Sequence, residues 1–199
     1  MGKTGLFDLE RHFAFYGAYH SNPTNIILHM LCVWPTVFST LVILYFTPSF
    51  FNPPYIQFCP HGKLVLNLGF FLTVIYGLFY ICLDKKAGSL AALLCFLCWF
   101  GASVVAIQLG FSLAWKIVLA AQLLCWGGQF IGHGVFEKRA PALLDNLAQA
   151  LVMGPFFVLL EALHMFCDYE SYPGFHASVK AKIDAEISKF HDTKLKKIT

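Results

Sequence analysis

Eight histidines stand in a chain of 199 residues that is 58% hydrophobic and only 13% charged. Four of them sit where apolar runs begin or end. His20 and His29 bracket the entry to the first run, within Tyr19-His20-Ser21-Asn22-Pro23-Thr24-Asn25-Ile26-Ile27-Leu28-His29. His133 closes Gln129-Phe130-Ile131-Gly132-His133, and His164 ends Glu161-Ala162-Leu163-His164. Acids accompany two of the four. Glu137 follows His133 by four residues, so both can share a helix face, and Glu161 precedes His164 by three, the Glu-x-x-His spacing of di-iron helical bundles. Neutral imidazole suits iron, zinc or copper, and a mixed histidine and carboxylate set with vacant positions suits oxygen-activating Fe(II). A lone histidine at a membrane interface is more often a hydrogen-bonded structural residue. Ionisable groups embedded in apolar segments are costly and usually functional, however, and four at one depth point to a metal site. His20, His29, His133 and His164 are therefore the candidate ligands, with Glu137 and Glu161 as candidate catalytic acids. The closely spaced histidine boxes of membrane desaturases are absent. His12, His176 and His191 lie in charged stretches and are expected to be solvated, whereas His61 belongs to a proline-rich loop expected on the opposite side of the membrane.

The elements that must gather these residues are helices in lipid. Soluble domains run near 45–50% apolar and about 25% charged residues, and a core of this size cannot absorb the excess seen here. A bilayer can. The net charge of +3 is too small and scattered for nucleic acid. An aromatic cluster of Phe13, Phe15, Tyr16 and Tyr19 suits an interfacial helix that ends near Pro23. Four spans follow, about Ile26 to Phe46, Leu64 to Leu83, Ser89 to Leu109 and Leu113 to Ile131, each close to the roughly 20 residues a bilayer requires. The loop from Thr47 to Lys63 carries Pro48, Pro53, Pro54 and Pro60, which excludes regular helix. Leu147 to Phe166 is apolar again but interrupted by Gly154-Pro155, so it reads as a re-entrant or kinked fifth segment, with a full fifth span as the alternative. The expected fold is an all-α polytopic transmembrane helical bundle: residues 1–167 form a membrane-embedded catalytic domain and residues 168–199 a soluble tail. In that tail Val179, Ile183, Ile187 and Phe190 recur at helical spacing, the pattern of an amphipathic surface helix.

Charge sets the expected orientation. The Lys85–Lys86 turn is basic, and the positive-inside rule places it, the N-terminus and the His133–Arg139 stretch in the cytosol. Lys196-Lys197-Ile198-Thr199 resembles a dilysine endoplasmic-reticulum retrieval signal, which works only on a cytosolic C-terminus. Both termini on one side favour an even number of spans, and that topology lets all four histidines reach one membrane face. No cleavable signal peptide is expected in Met1 to Asn25, which lacks an apolar core. Six of the seven cysteines sit in or beside apolar runs, so Cys95-x-x-Cys98 reads as buried small hydrophobes rather than a redox pair.

Three segments together resemble a known family. They are Tyr16-Gly17-Ala18-Tyr19-His20-Ser21-Asn22-Pro23-Thr24-Asn25 with His29, Gln129-Phe130-Ile131-Gly132-His133 with Glu137 and Pro141-Ala142-Leu143, and Gly154-Pro155-Phe156 with Glu161. The combination is similar to the endoplasmic-reticulum 2-hydroxy fatty acid dioxygenases, small polytopic proteins of fatty acid α-oxidation, and it covers about Leu6 to Phe166. The resemblance implies an Fe(II) enzyme that uses O₂ to remove one carbon from a long-chain 2-hydroxy acid during phytosphingosine breakdown. It also implies that His20, His29, His133 and His164 are the essential histidines. The acyl chain would lie between apolar helices, where each buried methylene contributes roughly 0.8 kcal/mol. Four histidines and a bidentate substrate would fill six coordination positions, so either one histidine is not a ligand or the substrate binds through one oxygen. Lys138 and Arg139 are candidates for holding the acid's carboxylate; the alternative is that they only orient the protein. Competing readings are a non-catalytic membrane scaffold or lipid-binding protein, and a haem protein with paired axial histidines.

Overall fold

The computed structural model describes residues 5–51, 55–59 and 62–196. His61 and the residues 197–199 of the dilysine-like end lie outside them. Six α-helices are described: α1 (Leu9–Gly17), α2 (Pro23–Leu44), α3 (Leu68–Leu83), α4 (Lys85–Ile131), α5 (Leu147–Cys167) and α6 (Phe175–Lys196). The all-α expectation holds, and three stretches, Pro23–Leu44, Lys85–Glu137 and Gln149–Cys167, are long and apolar enough to cross a membrane. α4 holds both the third and the fourth expected spans. Gly110 divides it, with φ 64° and ψ 163°, into helical halves at residues 85–109 and 111–131. That backbone region is open essentially to glycine alone.

One feature differs from the sequence expectation, and another decides between its alternatives. Part of the proline-rich loop is an antiparallel hairpin, β1 (Tyr55–Cys59) against β2 (Gly62–Val65), so α3 starts at Leu68 rather than near Leu64. The fifth apolar segment is one continuous helix through Pro155. A proline removes one helical hydrogen bond, but in an apolar surrounding an unwound segment would strip partners from several backbone groups. Continuity costs less. Pro35 inside α2 is tolerated in the same way.

The chain divides into two units. One comprises residues 31–129, and the other joins Met1–Met30 to Phe130–Thr199. In the first, Ala87, Ala91, Cys95, Ala102 and Ala106 place a stripe of small buried side chains along α4. Without a hydrophobic driving force between helices in lipid, such stripes let backbones approach. Asp84 caps the start of α4, its carboxylate accepting from the Lys86 and Ala87 amides at 2.8 and 3.0 Å. Asn67 secures the start of α3: its Oδ1 accepts from Gly69, and its Nδ2 donates to the Leu44 and Tyr45 carbonyls. Among the described residues, Cys95 and Cys98 are free and half-buried to buried, as expected for small hydrophobes.

In the second unit the core is aromatic. Phe13 of α1 meets Phe157 of α5 at 4.8 Å and Phe175 of α6 at 5.5 Å between ring centroids. α6 lays Val179 and Ile183 toward α1, where a Cβ on Gly17 would collide with Ile183. Glu10 pairs with Lys182 and accepts from the Ser178 hydroxyl, fixing the same contact at its polar edge. Val179 and Ile183 of the tail's apolar stripe are thus covered by the N-terminal helix.

Candidate metal centre

The site is built where α1 ends and α2 begins. α1 stops at Gly17, and the Tyr19 and His20 amides turn back onto the Tyr16 and Gly17 carbonyls. Asn22 then starts α2: its side-chain oxygen accepts from the Thr24 amide at 2.9 Å, and Pro23 occupies the first helical position. Both choices suit a helix N-terminus, where side-chain acceptors meet orphan amides and the missing proline N–H costs nothing. This tight passage brings His20 back over the first turns of α2. His133 arrives from a single π-helical turn, Gly132–Glu137, which ends with Lys138 in the left-handed conformation at φ 53°. π-Turns re-aim side chains within a helix and recur at functional sites.

His20, His29 and His133 meet there, each 3% exposed. Ring centroids are separated by 4.3 Å between His20 and His29, 4.7 Å between His20 and His133, and 4.9 Å between His29 and His133. One nitrogen from each lies within 4.8 Å of the other two. Backbone carbonyls decide two of the tautomers. His20 Nδ1 is 2.8 Å from the Tyr16 oxygen and His29 Nδ1 is 2.9 Å from the Asn25 oxygen. A carbonyl can only accept, so both Nδ1 atoms carry hydrogen and both Nε2 atoms keep a lone pair. His20 Nε2 and His133 Nδ1 are buried with no hydrogen-bond partner among the described residues. Tyr16 also stacks on His20 at 4.2 Å with an interplanar angle of 4°, which fixes the ring plane. Burial first, and then the neighbouring His29, hold the His20 imidazole well below its ordinary range. It is neutral at physiological pH, the form that binds metals.

Glu137 is close to this centre but fully engaged. Its carboxylate accepts from the Ser21 amide and hydroxyl, from the Asn22 amide at 3.0 Å, and from Asn25 Nδ2 at 3.0 Å. It therefore clasps the π-turn carrying His133 to the passage carrying His20 and His29. Glu137→Ala should weaken metal affinity by about 10- to 100-fold, the usual consequence of losing a group that orients ligands, while the helices persist. Titration of the purified variant with Fe(II) against wild type checks this; unchanged affinity would remove the orienting role. Arg139 joins the same clasp. Its guanidinium donates to the Ala18 carbonyl at 2.7 Å and lies 3.8 Å from the centre of the Tyr19 ring, whose hydroxyl bonds Asp145. Lys138 is exposed beside it.

The structure does not bring His164 to the other three. His164, on α5, stacks on His176 with ring centroids 3.5 Å apart. Glu161 lies with it on α5, half-buried. His176 was expected to be solvated, but burial and His164 lower its affinity for a proton, and it packs against Phe13 and Phe175. Sequence reasoning also missed Tyr16, Gly132 and Asn25. Asn25 carried a usable signal: it is a polar residue four positions before His29, at the head of an apolar run.

Comparison with known proteins assigns the family. The model of the family described as 2-hydroxy-palmitic acid dioxygenase Mpo1-like matches residues 6–166, a span that includes every histidine of the trio and its clasp. A relative from Saccharomyces cerevisiae (strain ATCC 204508 / S288c), 2-hydroxy-palmitic acid dioxygenase MPO1, is 32% identical over 183 residues, covering 92% of this chain and 91% of the relative. No solved structure matches. Because the shared sequence runs through nearly the whole of both proteins, this chain belongs to the Mpo1-like 2-hydroxy-palmitic acid dioxygenase family.

Proposed function

We propose that the chain is an Fe(II)-dependent dioxygenase of the endoplasmic-reticulum membrane, with both termini cytosolic. It converts 2-hydroxy long-chain fatty acids to the acid one carbon shorter, using O₂, as in α-oxidation of phytosphingosine-derived acids. The observation that carries this reading is the convergence of three buried imidazoles, two with carbonyl-fixed tautomers and two with a buried nitrogen that has no partner among the described residues.

A metal fits that arrangement. Nitrogens held about 2.1 Å from one ion lie at most about 4.2 Å apart, so the trio, within 4.8 Å, needs only a small closure. His20, His29 and His133 would hold the ion, and the carbonyls of Tyr16 and Asn25 supply the outer support that ligating histidines ordinarily have. When bound, Fe(II) supplies the one-electron chemistry that makes dioxygen reactive, and three protein ligands leave half of a six-coordinate ion's positions to the reactants. Every other contribution belongs to the chain. Glu137 and Asn25 hold the two sides of the centre in register. Lys138, exposed next to the clasp, is the cation available to a substrate carboxylate, and Arg139 braces the passage. Glu161 and His164 stand three residues apart on α5, separate from the trio. The dioxygenase named in the yeast relative favours iron over zinc at this trio.

The test is turnover of 2-hydroxypalmitate by detergent-purified protein loaded anaerobically with Fe(II) and then exposed to O₂. The expected product is the fifteen-carbon acid, with oxygen uptake matching it. A protein that binds iron yet yields no shortened acid would return the chain to the scaffold reading.

A further inference from the structure

α5 is 21 residues and about 30 Å long, enough to cross a bilayer, yet its burial is the reverse of a span's. Every residue from Met153 to Leu160 is buried, more than two turns with no face outward. Its exposed large apolar residues, Leu147, Leu151, Met165 and Phe166, stand toward the two ends. α3 shows the lipid-facing pattern instead, with Phe71, Val74, Ile75, Leu78 and Ile81 exposed along its length. An apolar helix covered all round its middle is the centre of a core.

The helices packed with it are charged. Phe157, the midpoint of α5, meets Tyr16 of α1 at 4.5 Å and Phe13 at 4.8 Å between ring centroids, and Phe13 carries the contact on to Phe175 of α6. Gln149, near the start of α5, donates to His12 Nδ1 of α1 at 3.1 Å. Glu10 and Arg11 lie within one turn of Phe13, and Glu10 pairs with Lys182 of α6. Lys180, Asp184 and Glu186 are exposed on α6 as well. If Phe157 stood in mid-bilayer, Glu10, Arg11 and Lys182 would be carried into the hydrocarbon with it, where charges are costly. We propose that α5 does not cross the membrane: α1, α5 and α6 pack together outside the hydrocarbon, and both ends of α5 lie on one side. The three histidines belong to this unit, and His20 lies 5.4 Å from Phe157 between ring centroids. An ionised ligand therefore reaches the centre from water without entering the hydrocarbon. That this side is cytosolic rests on the orientation proposed above; that α5 stays on one side does not.

Ala140→Cys and Ala185→Cys, each made in the full chain, test this in sealed microsomes. Both positions are exposed, one before α5 and one after it, and a small change at an exposed position leaves the fold intact. Cys167, exposed at the end of α5, is a further site on the later side. A charged, membrane-impermeant maleimide is added before or after permeabilisation. Mass spectrometry of the digested protein then reads the adduct at each position separately, so the native cysteines stay in place. Positions 140, 167 and 185 should label to the same extent in sealed and permeabilised vesicles. If position 140 labels in sealed vesicles while 167 and 185 label only after permeabilisation, or the reverse, α5 crosses and the proposal is overturned. If all three label only after permeabilisation, α5 stays on one side as proposed, and the cytosolic orientation is what fails.

Discussion

His133→Ala should empty the metal centre. Iron measured by plasma mass spectrometry on protein purified under reducing conditions should drop from about one ion per chain to less than a tenth. Turnover of 2-hydroxypalmitate should fall by more than the roughly hundredfold that loss of a supporting partner produces. The reason is the donor count. Among the described residues three nitrogens converge, and two imidazoles do not hold Fe(II) against water and buffer. The fold should survive, because His133 contributes its carbonyl, not its ring, to the turn that ends at Lys138. His164→Ala is the informative companion: its ring stacks on His176 away from the trio, so the iron should stay. Iron lost equally from both variants would mean that the ligand set includes α5, and the three-histidine centre would have to be abandoned.

Gly88→Val should be the most damaging single change to stability. A Cβ at this position would run into the Tyr80 carbonyl and the Ile81 amide, which are backbone atoms of α3 and cannot swing aside. Relief requires α3 and α4 to separate, and both are joined through the single residue Asp84 that caps α4. Overpacking against an immovable neighbour costs about 3 kcal/mol or more. Gly127→Ala is the control in the same helix, since a Cβ there meets nothing within 4 Å. It should be neutral or stabilising by up to about 1 kcal/mol. Thermal melts in detergent compare the two, and equal midpoints would show that α3 and α4 are not held at the described approach.

Much of the fold was legible because lipid makes the rules simple. Apolar runs of span length were expected to be helices, and each is helical over most of its length, the second only from Leu68. What escaped was the response of those runs to their glycines and prolines. Gly154-Pro155 looked like a break, yet Phe156, Phe157 and Val158 are buried immediately after it and pack the helix in place. By contrast, the division at Gly110 falls where the third and fourth spans were expected to separate, between Leu109 and Leu113. In the tail, the spacing of Val179 and Ile183 was readable, but not that α1 would cover them, because contacts across that much sequence leave no local pattern. The centre shows the same division. His20, His29 and His133 were selected by residue type and by position at the ends of apolar runs. Their convergence depends on the α1–α2 passage and the π-turn, whose geometry comes from Gly132, Asn25 and Glu137 acting together. His164 satisfied the same local criteria and is placed on His176 instead.

The unit that holds the centre is assembled from the first 30 residues and the last 70, with the intervening chain forming the other unit. Synthesis order therefore matters to metal loading. His29 leaves the ribosome 104 positions before His133, an interval of roughly 5–20 s at ordinary elongation rates. During that interval the nascent chain carries two of the three histidines, while the apolar helices between are being made. The three histidines can meet only after the last of them and its clasp have been made, so a chain truncated between His29 and Gly132 would carry two of the trio and no centre.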